Sequence, residues 1–115
     1  MKSLPAKTPL VEVLSFDGCP NHEPAIALVE RLGRELGLEL ELRLVNVYDQ
    51  AAAERLRFPG SPTVRIDGAD VEPRTEERRD YGLSCRVFRT EAGIVGQPDE
   101  RWVREALLRA AGQPG

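Results

Sequence analysis

Between Leu10 and Val47 the hydrophobic period changes twice, and this constrains the fold more than any other feature. "LVEVLSF", residues 10–16, is a short, apolar, β-rich run of the kind that forms a buried strand. From Ala25 the apolar positions Ala25, Val29, Leu32 and Leu36 recur at helical spacing, joined by Ile26 and Leu28, until Gly37 stops the helix. "LELELRLVNV", residues 38–47, then alternates, with Leu38, Leu40, Leu42 and Leu44 on one side and Glu39, Glu41 and Arg43 on the other. Period two means a half-buried strand. A strand, a crossover helix and a second strand form a parallel pair with a right-handed connection.

The rest of the chain extends this unit. Residues 49–58, "DQAAAERLRF", read as a short helix capped by Asp49. Thr63 to Asp67 reads as a third strand ending in an Asp67-Gly68 turn. Residues 69–84 are polar and mixed in charge and read as a long loop or irregular insertion; Asp67 and Asp70 are turn residues. "CRVFRT", residues 85–90, reads as a fourth strand antiparallel to the third. The last helix spans 99–111, after Pro98 and before Gly112, with Trp102, Val103, Ala106, Leu107 and Ala110 on its core face. Phe16 and Phe58 read as packing residues, and Tyr81 as covering its own loop. The order β-α-β-α-β-β-α predicts one α/β domain over 1–115, with helices on both faces of a mixed four-stranded sheet of order 2-1-3-4. The ends, 1–9 and 112–115, are expected to be flexible.

Charge and composition exclude several classes of function. The 115 residues are 41% hydrophobic and 30% charged, with a formal net charge of −3. A nucleic-acid-binding domain is usually basic, so no nucleic-acid partner is expected. Arg74, Arg78, Arg79, Arg86 and Arg89 are interleaved with Glu72, Glu76, Glu77 and Asp80, a pattern that predicts a solvated mixed-charge surface. No apolar run nears the roughly 20 residues of a membrane span. "MKSLPAKTP" has no apolar stretch of the secretory kind, so the default compartment is the cytoplasm. Two cysteines 66 positions apart make neither a disulfide scaffold nor, with one histidine, a structural zinc site. No cofactor or metal is called for.

What remains is "FDGCPNHEP". Cys19 stands where the first strand turns into the first helix, and His22, the sole histidine, follows three residues later. A thiol at a helix start lies near unpaired N–H groups and the positive end of the helix dipole, both of which favour the thiolate. Either the helix begins near Pro20, or Asn21 caps it with Pro24 in the first turn, where a missing N–H costs little. Asp17 opposes the thiolate if its carboxylate points inward. Cys19 reads as a reactive thiol or else as a small buried hydrophobe. His22 reads as its partner or as a solvated capping side chain. Cys85, opening an apolar strand, reads as buried.

The strand and helix order, Cys19 at the first strand–helix junction, Pro62 opening the third strand in "GSPTVRI", and Gly93 or Gly96 before the last helix together resemble the thioredoxin-like superfamily. The longer pattern "FDGCPNHEP…RFPGSPTVRIDG…YGLSCRVFRT" is similar to small bacterial proteins labelled thioredoxin-family or alkylmercury-lyase-like, over roughly residues 10 to 110. The resemblance implies a cis Ser61–Pro62 bond, with the Pro62 loop facing the thiol. It implies thiol–disulfide oxidoreductase chemistry with a thiol or disulfide partner, protein or small molecule, at a site of Cys19, His22 and Pro62. Dithiol members carry Cys-X-X-Cys; here His22 holds the second position, so an adduct on Cys19 is expected to wait for an external thiol.

Two other functions stay open. One is a non-catalytic binding module of the same fold. The other is organomercurial lysis or soft-metal binding, which needs a second soft ligand beside Cys19. In the plain fold Cys85 lies at the far end of the sheet, and a Cys19–Cys85 disulfide requires Cα atoms within about 7 Å. That distance is reached only if the 69–84 insertion bends the chain back.

Overall fold

A computed structural model describes residues 8–112. It is a mixed α/β structure. β1 (Leu10–Ser15), α1 (His22–Glu35), β2 (Glu41–Asn46), α2 (Gln50–Arg55) and β3 (Thr63–Ile66) follow the expected order. They are succeeded by β4 (Ala69–Asp70), a 3₁₀ turn at Thr75–Glu77, β5 (Phe88–Thr90), β6 (Gly93–Val95) and α3 (Glu100–Ala110). Of the expected flexible ends, all but residues 8, 9 and 112 lie outside the described region. The Pro9 carbonyl accepts from the Glu41 amide at 2.9 Å.

Four strands form one sheet in the order β2-β1-β3-β4. β1 and β2 are parallel, with Leu10 opposite Glu41 and Ser15 opposite Asn46. β3 runs antiparallel to β1, with Val11 opposite Ile66 and Leu14 opposite Thr63. Because strand side chains alternate, this register puts Val11, Val13, Val64 and Ile66 on one face. There they pack with Ala25, Val29 and Leu32 of α1 and Val103 and Leu107 of α3. Leu14 faces the other way, onto Ala52, Ala53 and Phe58 at α2. Full burial of a side chain such as Phe58 is worth about 1.5–3 kcal/mol. Asp49 caps α2 as expected, its Oδ1 accepting from the Ala52 amide at 2.8 Å. Among the described residues no helix is long and apolar enough to cross a membrane.

The fourth place in the sheet is filled by a strand other than the expected one. β4, inside the segment read as a loop, pairs with β3 through Arg65–Asp70 and Ile66–Ala69. The "CRVFRT" segment leaves the sheet: Phe88–Thr90 pairs with Gly93–Val95 as a separate hairpin. Its first residue forms one parallel bridge, Ser61 to Cys85. The reason lies in Arg86. Its side chain, 0% exposed, pairs with Asp70 at 2.8 Å and Glu72 at 2.6 Å. It also donates to Thr63 Oγ1 at 3.0 Å and lies 4.6 Å from the Phe88 ring centroid. A buried guanidinium is costly unless its charge is paired, so residues 69–75 wrap around its two Nη groups, while Nε makes no hydrogen bond. The arginine cluster is therefore not wholly a solvated surface. Arg74 and Arg78 fit that reading, pairing with Glu77 and Asp80 on the outside, but Arg86 is the hub of the insertion.

Candidate functional site

β1 ends at Ser15, and a turn closed by the Cys19 amide donating to the Phe16 carbonyl at 3.2 Å delivers Cys19 to the mouth of α1. Of the two sequence alternatives, the helix starts late. Asn21 is the N-cap and His22 the first helical residue, with Pro24 in the first turn. Asn21 makes no side-chain cap bond. Its carbonyl instead accepts from the Ala25 amide at 3.3 Å and from Gln97 Nε2 at 2.8 Å. The Asp17 carboxylate is turned away toward Asn46, whose Nδ2 lies 3.5 Å from Oδ1.

Cys19 is 6% exposed, and its thiol is free. It lines an open depression with Gly18, Pro20, His22, Glu23 and Pro24. His22 also lines an adjoining hollow of about 190 Å³ with Phe16, Asp17 and Leu44. Leu44, on the edge strand β2, is 60% exposed, so the hollow has an apolar rim. Cys19 and His22 thus share one surface, although no hydrogen bond joins them.

Pro62 is buried, and the Ser61–Pro62 peptide bond is cis. Since Leu14 stands opposite Thr63, Pro62 lies one residue beyond that pair, at the end of β1 from which the Cys19 turn springs. The three residues singled out in the sequence, Cys19, His22 and Pro62, therefore belong to one end of the sheet.

Cys85 departs from expectation in two ways. It is exposed, and it lies at the Pro62 end of the sheet. On either side of it, the Ser84 carbonyl accepts from the Ser61 amide at 2.9 Å, and the Arg86 amide donates to the Ser61 carbonyl at 2.8 Å. Arg86 turns inward to its carboxylates, and strand alternation turns Cys85 outward. Gly60, at φ +131°, allows this approach: a Cβ there would stand 3.0 Å from the Ser84 carbonyl oxygen and 3.1 Å from the Arg86 Cβ.

Gly96 was singled out in the sequence only as a glycine before the last helix; its contact with Asn21, and Gln97 beside it, escaped the sequence reading. Gly96 packs directly on Asn21, and a Cβ at Gly96 would come within 2.5 Å of Asn21 Nδ2. Gln97 supplies the hydrogen bond to the Asn21 carbonyl. Tyr81 serves its own loop as expected, its hydroxyl donating to the Arg78 carbonyl at 3.0 Å. Among the described residues, no three His, Cys, Asp or Glu side chains are grouped as a metal site requires.

Compared with protein-family models, with curated proteins and with solved structures, the chain finds no match, and the reading of the site rests on its own residues.

Proposed function

We propose that this is a thioredoxin-like thiol-exchange protein in which Cys19 is the reacting thiol. The observation that carries the reading is that Cys19 and His22 line one open depression at the mouth of α1. In the proposed step the Cys19 thiolate attacks one sulfur of a disulfide. A bond forms between Cys19 Sγ and that sulfur, the old S–S bond breaks, and the other half leaves as a thiolate. In this reading His22, at the edge of the same depression, passes a proton to that leaving group through water. The apolar rim at Leu44 suits a partner that brings a hydrophobic group beside its disulfide. The cytoplasm, where thiols are kept reduced, is the compartment that suits a reduced Cys19.

The experiment is exposure of the native chain to glutathione disulfide followed by peptide mapping. Glutathione on Cys19 is expected, forming more slowly in His22→Gln. The low exposure of Cys19 favours a second reading, a binding module in which the thiol is only a small buried hydrophobe. If Cys19 stays unmodified in the native chain and reacts only in urea, the binding module is the correct reading.

A further inference from the structure

We propose that Cys85 is the second thiol of this site and resolves adducts formed on Cys19 by closing an intramolecular Cys19–Cys85 disulfide. The inference rests on the reading of Cys19 as an exchange thiol and adds the route by which its adduct is released.

Two independent sets of contacts lead from one cysteine to the other. The first runs through the loop before β3. Three backbone bonds lay residues 82–86 against it: Gly82 amide to Phe58 carbonyl at 3.0 Å, Ser61 amide to Ser84 carbonyl at 2.9 Å, and Arg86 amide to Ser61 carbonyl at 2.8 Å. Cys85 therefore sits opposite Ser61, two residues beyond the Leu14–Thr63 pair. Cys19 lies at the same sheet end, its turn closed on Phe16, two residues beyond Leu14. The second route runs through the β5–β6 hairpin. Phe88, three residues after Cys85, stands opposite Val95, and the next residues, Gly96 and Gln97, pack on and bond to Asn21. Asn21 is two residues from Cys19.

The two thiols are unequal in a way that suits this division of labour. Cys85 is exposed on a segment pinned by three backbone bonds and by the buried Arg86 side chain. Cys19 sits on a turn closed by one backbone bond. In the proposed step the Cys19 turn, not the pinned Cys85 segment, shifts to bring the sulfurs together.

The chemistry balances without a further reagent. A low-molecular-weight disulfide, the oxidant, first exchanges with Cys19 to give the mixed disulfide and one free thiol. The Cys85 thiolate then attacks the Cys19 sulfur. The Cys19–Cys85 bond forms, the bond to the small thiol breaks, and that thiol leaves as a thiolate that takes a proton from water. Two protein thiols are oxidised and one disulfide is reduced to two thiols. His22 in the position of the usual second cysteine is then no obstacle to release, because the resolving thiol arrives from another segment.

The test uses the full chain, wild type and Cys85→Ser, with glutathione disulfide, acid quenching, alkylation and non-reducing peptide mapping. In the wild type, glutathione on Cys19 is expected to appear transiently and give way to a Cys19–Cys85 peptide from a species that runs as a monomer. In Cys85→Ser the adduct is expected to last on the order of a hundred-fold longer, the advantage of an intramolecular over an external thiol. Equal adduct lifetimes in the two proteins, or a Cys19–Cys85 link found only in dimers, would overturn this inference and leave the Cys19 reading standing. No adduct on Cys19 in either protein would overturn both.

Discussion

Arg86 Nη1 meets Asp70 Oδ2 at 2.8 Å inside the 69–86 segment, with the Arg86 side chain 0% and the Asp70 side chain 9% exposed. The same guanidinium reaches Glu72 and Thr63, so these three side chains share one buried cation. Removing the arginine leaves two half-buried carboxylates without their cation. Arg86→Ala is therefore expected to lower the unfolding free energy by about 3–5 kcal/mol. Arg86→Lys should recover only part of this, because an ammonium lacks the planar fork that spans two carboxylates. Urea unfolding measures both. A loss of under about 1 kcal/mol for Arg86→Ala would mean that residues 69–75 hold their place without it.

Gly60 is the close-approach point between the β3 loop and the Cys85 segment. An alanine there must adopt an unfavourable φ and push on the Ser84 carbonyl and the Arg86 Cβ. Gly60→Ala should cost more than about 1 kcal/mol and should speed hydrogen exchange at the Ser61 and Arg86 amides. Gly68→Ala, where a Cβ meets nothing within 4 Å, carries a similar φ cost and should leave those two amides protected. Equal exchange in the two variants would mean that the 82–86 pairing does not depend on the gap at Gly60.

Gly96 presses on Asn21, two residues from the thiol. A methyl group at 96 must displace the Asn21 side chain. Gly96→Ala should change the rate of alkylation of native Cys19 several-fold, with a stability change near the roughly 1 kcal/mol typical of a single substitution. Unchanged alkylation kinetics would show that the 96–97 loop does not bear on the Cys19 turn.

Asp99 ties α3 to the β5–β6 turn and gives a pH signature. Burial pushes its carboxyl up. The Arg101 side chain, the Arg101 amide and the Glu91 amide outweigh burial and hold it below the usual carboxylate range. A folded-state value below the unfolded one means stability that is present above the unfolded value. That stability is lost as the pH falls through the folded value. Tm should fall on acidification below about pH 4, and Asp99→Asn, which keeps a capping side chain but removes the titration, should fall less steeply. Parallel Tm profiles would mean that other carboxylates set the acid limb.

The β1-α1-β2 unit, the Asp49 cap and the core face of α3 were legible in the amino-acid order because each repeats a local period or a local cap. Val103 and Leu107 are buried and Trp102 and Ala106 pack beside them, as the helical spacing of that segment requires. Cys19 and His22 were legible as a candidate site because they stand at a strand–helix junction, where the chemistry of the residue type is informative; Pro62 joined them only through the resemblance to the thioredoxin-like superfamily. β4, with two residues, has no period to read, and its existence depends on β3 beside it. Arg86 looked like its exposed neighbours until Asp70 and Glu72, 16 and 14 positions earlier, closed around it. Cys85 looked like the start of a buried strand. Its exposure and its place beside Ser61 follow from Arg86 taking the inward position next to it. Local order sets which elements form, because backbone geometry and hydrophobic period act over a few residues. Which segment pairs with which loop, and so where the second thiol lies, was decided by the tertiary structure, because a buried charge must find its partners wherever in the chain they are.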